Sequence, residues 1–518
     1  MSRPSLMRHI GLSSGEAQNM RVETEILEPR AFSQNVNGGQ VSFDLPKKGL
    51  LDQDAHLNLQ MYSATAGAAG VNGLPLMAGI LGCVQTASLY YNNILLQQTQ
   101  EVAALMQLKS TFVEQDIRDQ SYQNKIGAFS GLMVDNDSGG TAGTSVGRYS
   151  LNASNSGKGI VGLKIDGAAP ECIEKETEFK IHNTNTAANP LATNAAFIAS
   201  VPLKWLFPLF SQIQIPLALL EGTVRVVFDF SPDLNGNRAI AYSNAASPPV
   251  GQAWVQDNTI VESTCKLSID LVYFDDEPGK PSPMEALAAQ VMKGIQLVYT
   301  DYTFVESQIP AAAGAPGAPE NVDASVLCGL DHQVVRNLLV AIPRAPDYTE
   351  VNQTGPSNAL LGNYESNASQ GKTTMQVVIN NQNVYPNAIN MDAKIFNEVS
   401  QVFNTPQKAI KGLTSNVGCV AGAALAFETQ QMSFPSNKYM NGLGENNLQG
   451  SCQYLGCNLS RTHANVLGAG TSIGKSPVEL RITTQHTQEN YGAKRILIWA
   501  EAERMMVIKG GQIMVSGS

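Results

Sequence analysis

Apolar and polar residues alternate at every second position through much of this chain, the mark of half-buried β-strands. Near the middle, Cys265, Leu267, Ile269, Leu271 and Tyr273 point one way while Lys266, Ser268 and Asp270 point the other. An acidic turn (Asp275, Asp276, Glu277) ends that strand, followed by Pro278, Gly279, Pro281 and Pro283, which no strand or helix interior tolerates. A short helical run over 284–292 and a fresh strand over 295–304 come next. One β-unit closes here and another opens.

The first unit begins with Val41, Phe43 and Leu45 alternating against Ser42 and Asp44, and Leu57, Leu59 and Met61 alternate again. Residues 83–96 read as strand, Asn92-Asn93 turn, strand, a hairpin signal. Beyond Thr99 the period becomes helical, and Val102, Leu105, Met106, Lys109 and Phe112 predict one amphipathic helix over 102–112. Residues 127–170, rich in Gly, Ser, Thr, Asn and Asp, predict a long surface excursion. The stretch 201–230 is dense in large apolar residues, broken by Pro202, Pro208 and Pro216. It ends in a strand with Val224, Val226, Phe228 and Phe230 on one face. Residues 1–30 are mixed and polar, and predict an arm ordered by contact with something else.

The second half repeats this order of events. A strand over 295–304 precedes an Ala/Pro/Gly loop over 310–319, and strands follow over 334–342 and 375–379. The last runs into Asn380-Asn381, and a helix-periodic run follows over 395–403. Strand ends match too, since SIDLVYFDDE at 268–277 resembles RILIWAEAER at 495–504. Two copies of one β-fold are expected.

Composition narrows the picture. A chain of 518 residues is too long for one comfortable core. The expected division is an arm over 1–30, a first unit over 31–278, a linker over 279–293 and a second unit over 294–518. Only 15% of residues are charged, with 45 Gly and 25 Pro, which fits an all-β protein with long loops and excludes helical bundles and disorder. A net charge of −10 gives no support to wrapping nucleic acid, so no sequence-specific nucleic-acid partner is expected. Seven cysteines, scattered except for Cys452 and Cys457, predict buried reduced thiols and assembly in a reducing compartment. With no signal-peptide core and no run near the ~18 apolar residues that cross a bilayer, a soluble chain made in the cytosol or nucleus is expected.

Candidate chemistry is sparse. Residues 469–476, AGTSIGKS, nearly form a phosphate loop, but that loop needs a strand before it and a helix after it. Here Pro477 leads into a strand instead, so an inter-strand loop is predicted. Cys452, Cys457 and His463 lack the second ligand pair of a zinc site. Asp331-His332 has no nucleophile motif nearby, and Asp275, Asp276 and Glu277 read as a solvated turn. No catalytic residue, cofactor or metal is expected, and the chain reads as no enzyme.

The apolar stretch PLKWLFPLFSQIQIPLALLEGTVRVVFDF resembles the F–G region of the first jelly roll in double jelly-roll major capsid proteins of eukaryotic double-stranded DNA viruses. The junction at 265–304 resembles that family's junction, and the opening strands VSFDLPKKGLLDQDAHLNLQMY look like those of its virophage and Polinton-like members. The resemblance implies an all-β fold of two tandem antiparallel eight-stranded jelly rolls with a few short inserted helices. It further implies a homotrimeric, pseudo-hexagonal capsomer tiling an icosahedral shell in the virion, assembled in host cytoplasm or nucleus. The implied partners are the chain itself, neighbouring trimers, penton and minor capsid proteins, and an internal membrane or its proteins. Candidate contact residues are Leu203, Trp205, Leu206, Phe207, Leu209 and Phe210 in the stretch 203–220, with Val102, Leu105 and Phe112 on the helix. Residues 127–170, 231–255, 305–325 and 345–370 are the candidates for the outer surface. The competing reading is a two-domain carbohydrate-binding or attachment protein, which the loops disfavour because they are poor in aromatic residues.

Overall fold

The computed structural model describes residues 20–35, 38–63, 70–73, 81, 84–102, 104–106, 109, 125, 196–230, 240–243, 258–260, 262–275, 282–310, 320–341, 374–390, 402, 454–460, 469–475, 477–486 and 494–516. The calls on 1–19, Phe112, all of 127–170, most of 231–255, all of 345–370, Cys452, His463 and most of 395–403 lie outside these residues.

The first half supplies β1 (Met20–Leu27), β2 (Ala31–Asn35), β3 (Gly38–Asp44), β4 (Leu50–Leu51), β5 (His56–Ser63), β6 (Gly70–Gly73), β7 (Val84–Tyr91) and β8 (Ile94–Gln100). After 101–195 come β9 (Ala196–Pro202), two short helices α1 (Leu203–Leu206) and α2 (Pro208–Gln212), β10 (Val224–Phe230), β11 (Ile240–Ser243), β12 (Asn258–Ile260) and β13 (Lys266–Phe274). Helix α3 (Pro283–Lys293) leads to the second half. There the strands are β14 (Ile295–Ile309), β15 (Glu320–Cys328), β16 (Val334–Ala341), β17 (Thr374–Ile379), β18 (Gln382–Asn383), β19 (Ile389–Asn390) and β20 (Tyr454–Asn458). The chain finishes with β21 (Thr471–Ser472), β22 (Val478–His486), β23 (Lys494–Lys509) and β24 (Gln512–Ser516).

Pairing makes the repeat explicit. In the first half one sheet runs β1-β13-β5 with β9 and β12 on β5, and the facing sheet runs β2-β3-β10-β7-β8. In the second half the sheets run β14-β23-β16-β20 and β15-β22-β17-β18. Lettering eight strands B to I in chain order, both halves give one sheet B-I-D-G and one sheet C-H-E-F, the two-sheet jelly roll. The fold is two tandem antiparallel jelly rolls.

Each barrel closes over the inward side of its alternating strands. Val41 and Phe43 of β3, Leu57 and Leu59 of β5, Val226 and Phe228 of β10, and Leu267, Ile269 and Leu271 of β13 are buried in one cluster. Met375 and Val377 of β17, Leu480 and Ile482 of β22, and Ile496 and Ile498 of β23 belong to a second. Each such side chain contributes roughly 1.5–3 kcal/mol on burial. Both Asn-Asn pairs turn hairpins, β7 to β8 and β17 to β18. Asn92, Asn380 and Asn381 adopt φ of 51°, 52° and 61°, the left-handed conformation that tight hairpin turns demand and asparagine tolerates.

Two expectations are corrected. Residues from Met20 are not arm: β1 pairs along its whole length with β13, from Met20↔Phe274 to Leu27↔Leu267. Its alternation was masked by Arg21, Glu23 and Glu25, which an edge strand can carry. The apolar stretch at 202–230 is not F–G: it joins the strand in position G (β9) to the strand in position H (β10).

Candidate assembly surfaces and the seam between the barrels

The apolar stretch after β9 forms the joint between the two barrels. Leu203, Leu206, Phe207, Leu209 and Phe210 are buried inside the chain's own core, as is Val102. Proline places the short helices, Pro202 preceding α1 and Pro208 opening α2, where its fixed φ suits a first turn. Phe207 and Phe210 meet edge-on at 5.8 Å. Leu105 is buried in the other cluster, with the second barrel. Trp205 is only half-buried, with the Lys125 ammonium 5.9 Å from its ring centre. Among the described candidates for intermolecular contact, Trp205 alone keeps substantial exposure. The others are buried in the chain's own cores.

Strand β14 is the edge of its sheet, and its outer backbone groups need partners. Two glutamine amides of the first barrel supply them at Thr300. Gln212 accepts from the Thr300 N–H at 2.9 Å and donates to its hydroxyl at 2.6 Å. Gln97, wholly buried, donates to the Thr300 carbonyl at 2.9 Å while accepting from the Leu209 N–H at 3.1 Å. One residue earlier, the Tyr299 hydroxyl donates to the Leu96 carbonyl at 2.7 Å. Burial raises its pKa, so it stays a neutral donor.

Asp301, 3% exposed, pairs with Arg504 at 3.0 Å across β14 and β23. Burial pushes its carboxyl up to about 6, against the pull of the Arg504 guanidinium. Higher up, Trp499 donates from Nε1 to the Gln100 carbonyl at 2.9 Å and packs on Phe304 at 5.7 Å. Lys109 follows the same joint, donating to the Trp205 carbonyl at 3.3 Å with its ammonium 4.7 Å from the Tyr302 ring centre. Burial lowers its pKa to about 8, opposed by Glu501.

The last hairpin plugs the lower end of the seam. Gly510 and Gly511, at φ 55° and 76°, turn β23 into β24. The Gly511 carbonyl accepts from the Tyr91 hydroxyl and from the Glu221 N–H, each at 2.9 Å, and the Tyr91 hydroxyl accepts from the Gly222 N–H at 2.9 Å. A Cβ at Gly511 would stand 2.9 Å from Glu221 Cγ, so a larger residue there must push Glu221 aside as well as adopt a positive φ. Sequence reasoning missed Gln97, Gln212, Tyr91 and Gly511, because no local pattern announces a side chain that caps a distant strand.

Sites of possible chemistry resolve into structure. Ala469 and Gly470 are buried, and residues 471–472 form β21 on β16, with Pro477 and β22 following where a phosphate loop needs a helix. Cys265, Cys328 and Cys457 are buried thiols outside any disulfide, and burial pushes Cys265 to about 12 and Cys328 to about 11. Cys457 accepts from the Tyr385 hydroxyl at 3.2 Å. His332 sits in a turn at φ 60°. Among the described residues no three His, Cys, Asp or Glu side chains cluster as metal ligands, and no helix is long and apolar enough to cross a membrane.

No protein-family model matches the sequence, and no curated protein sequence matches it. Solved structures do match, over almost the whole chain. A chain of the Sputnik virophage structure aligns with 96% of this chain and 88% of its own, at 14% identity and a TM-score of 0.56. A chain of the PBCV-1 virus capsid aligns with 96% and 97%, at 12% identity and a TM-score of 0.52. The Faustovirus major capsid protein aligns with 95% and 91%, at 10% identity and a TM-score of 0.52. At such identities the likeness speaks to architecture, and the architecture is the one paired above strand by strand: this chain has the double jelly-roll fold of these viral capsid proteins.

Proposed function

We propose that this chain is a major capsid protein that self-assembles as homotrimers, each a pseudo-hexagonal block of an icosahedral virus shell. The observation that carries the reading is full-length correspondence with capsid proteins in both barrels, with no half left for another task. Two barrels per chain give six around a threefold axis, and closed rotational symmetry is how identical subunits bury matching surfaces. The role is structural and calls for no enzyme activity. The division of labour is two barrels joined at α3, the first extended at its N-terminal side by β1.

The topology supports a polarity. In a jelly roll, the connections B–C, D–E, F–G and H–I leave one end, and C–D, E–F and G–H leave the other. Residues 101–195, 231–265, 342–373 and 384–453 all belong to the first end, while both Asn-Asn turns belong to the second. The β6–β11 pair, joining the D–E and H–I connections of the first barrel, agrees with this. The strands that flank these connections place them at the B–C end of their own barrel. The stretch 305–325 is mostly strand, with only 310–319 between β14 and β15. That end is the proposed outer face of the virion. β1 begins at the opposite end, the side on which minor capsid proteins or an internal membrane would meet the shell. Penton proteins and neighbouring trimers complete the proposed partners, with assembly in host cytoplasm or nucleus.

Electron microscopy of the purified recombinant chain tests this reading. The expected particle is a six-lobed ring or a shell built of such rings. Isolated two-lobed particles at all concentrations would refute it.

A further inference from the structure

One rung of side chains in the seam carries groups that barrel packing does not call for. β14, β23 and β16 lie side by side, and their register sets Tyr302 opposite Glu501 and Glu501 opposite Asn337. Side chains opposed in this way on neighbouring strands are within reach of one another. The Tyr302 hydroxyl donates to Glu501 Oε1 at 3.1 Å, and the Asn337 amide donates from Nδ2 to Glu501 Oε2 at 2.6 Å. Two residues on, Glu503 is held instead by Arg336 at 2.9 Å and by the Gly470 N–H at 3.1 Å. From the first barrel, Lys109 brings its ammonium to 4.7 Å from the Tyr302 ring centre, with the Trp205 carbonyl as acceptor at 3.3 Å. Burial in the seam favours the neutral amine and Glu501 opposes it, which leaves the pKa at about 8. A primary amine, a carboxyl and a carboxamide are thus linked through one tyrosine.

We infer that Lys109 and Asn337 are joined by an isopeptide bond that the chain forms by itself, with Glu501 as the catalytic residue. The lysine stem is flexible, and turning it from the Trp205 carbonyl along the Tyr302 ring carries Nζ toward the Glu501–Asn337 pair. Glu501 takes a proton from the ammonium, and the freed Nζ lone pair attacks Asn337 Cγ. The Nζ–Cγ bond forms, the Cγ–Nδ2 bond breaks, and Glu501 hands its proton to the departing Nδ2. Of the three ammonium protons, one stays on the new amide, one reaches Nδ2 through Glu501 and one goes to solvent. Ammonia is the leaving group, and nothing is oxidised or reduced. The carboxyl already touches the leaving nitrogen at 2.6 Å, where a proton donor must stand. Such a bond ties the first barrel's 101–195 connection to β16 of the second barrel and closes the seam covalently. Joining residues so far apart in sequence restricts the unfolded chain as a long-loop disulfide does, with no need of an oxidising compartment. The bond lies within one chain and does not depend on the capsid reading.

Mass spectrometry of the purified full chain tests the inference. After incubation at pH 8, where about half of the Lys109 side chains are neutral, the wild type should weigh one ammonia less than its sequence. A protease digest of it should contain a branched peptide joining the segment with Lys109 to the segment with Asn337. Lys109→Arg, Asn337→Ala and Glu501→Gln should each keep the full sequence mass and give linear peptides alone. Wild-type peptides that are linear at both residues overturn the inference, and they decide it even where a variant fails to fold. Ammonia lost without a branched peptide, as when another asparagine closes to a succinimide, overturns it too. A branched peptide at undiminished yield in Glu501→Gln overturns the catalytic role given to Glu501.

Discussion

Asp301 shows how a single residue in the seam reports on its surroundings. Its carboxyl, normally near 3.8, is held at about 6 by burial, so the folded chain binds a proton more readily than the unfolded chain between those values. Stability contributed by this group therefore grows as pH falls from above 6 to below 4, by up to about 3 kcal/mol at one proton for a shift of this size. Comparing wild type with Asp301→Asn in urea at pH 7 and pH 4.5 should show the difference moving in favour of wild type at the lower pH. An unchanged difference would place Asp301 in solvent. The last hairpin offers a steric test at the same scale. Gly511→Ala meets Glu221 Cγ and the Leu219 carbonyl as well as a positive φ, whereas Gly510→Ala meets nothing within 4 Å. Both pay the left-handed cost of roughly 1–2 kcal/mol, and Gly511→Ala should lose clearly more in denaturant titration. Tyr91→Phe leaves the Gly222 N–H without its acceptor, for an expected loss of about 1–3 kcal/mol.

At the scale of elements, the two amides on Thr300 stand where the peptides of a neighbouring strand would be. Removing either by Gln97→Leu or Gln212→Leu strands a backbone group, at about 1–3 kcal/mol each. Because both act on one residue, the double variant should cost less than the sum, and strict additivity would argue that they act independently. Elements were also where the sequence was most readable. The period-2 runs, the Asn92-Asn93 and Asn380-Asn381 turns and the doubled order of strands follow from local chemistry, and the pairing agrees with them. The apolar stretch at 203–220 was visible as apolar but not as interior. Leu203 or Phe210 carries the same letter whether it faces another chain or the other half of its own, and only the three-dimensional path of β9 into α1 decides. β1 hid for the opposite reason, since an edge strand with Arg21, Glu23 and Glu25 reads as a polar tail.

For the whole molecule, the seam makes one block of two barrels. The first barrel's core cluster includes Leu297, Tyr299, Met506, Ile508 and Ile513 from the second, and the second barrel's includes Ala104 and Leu105 from the first. That such a double barrel adds copies of itself is the central proposal. Its most direct test is the mass of the purified chain by light scattering after size exclusion, across concentration and salt. The account predicts a stable species near three times the 55.4 kDa chain, with or without larger assemblies built from it. A well-behaved particle of one chain mass under every condition would contradict it.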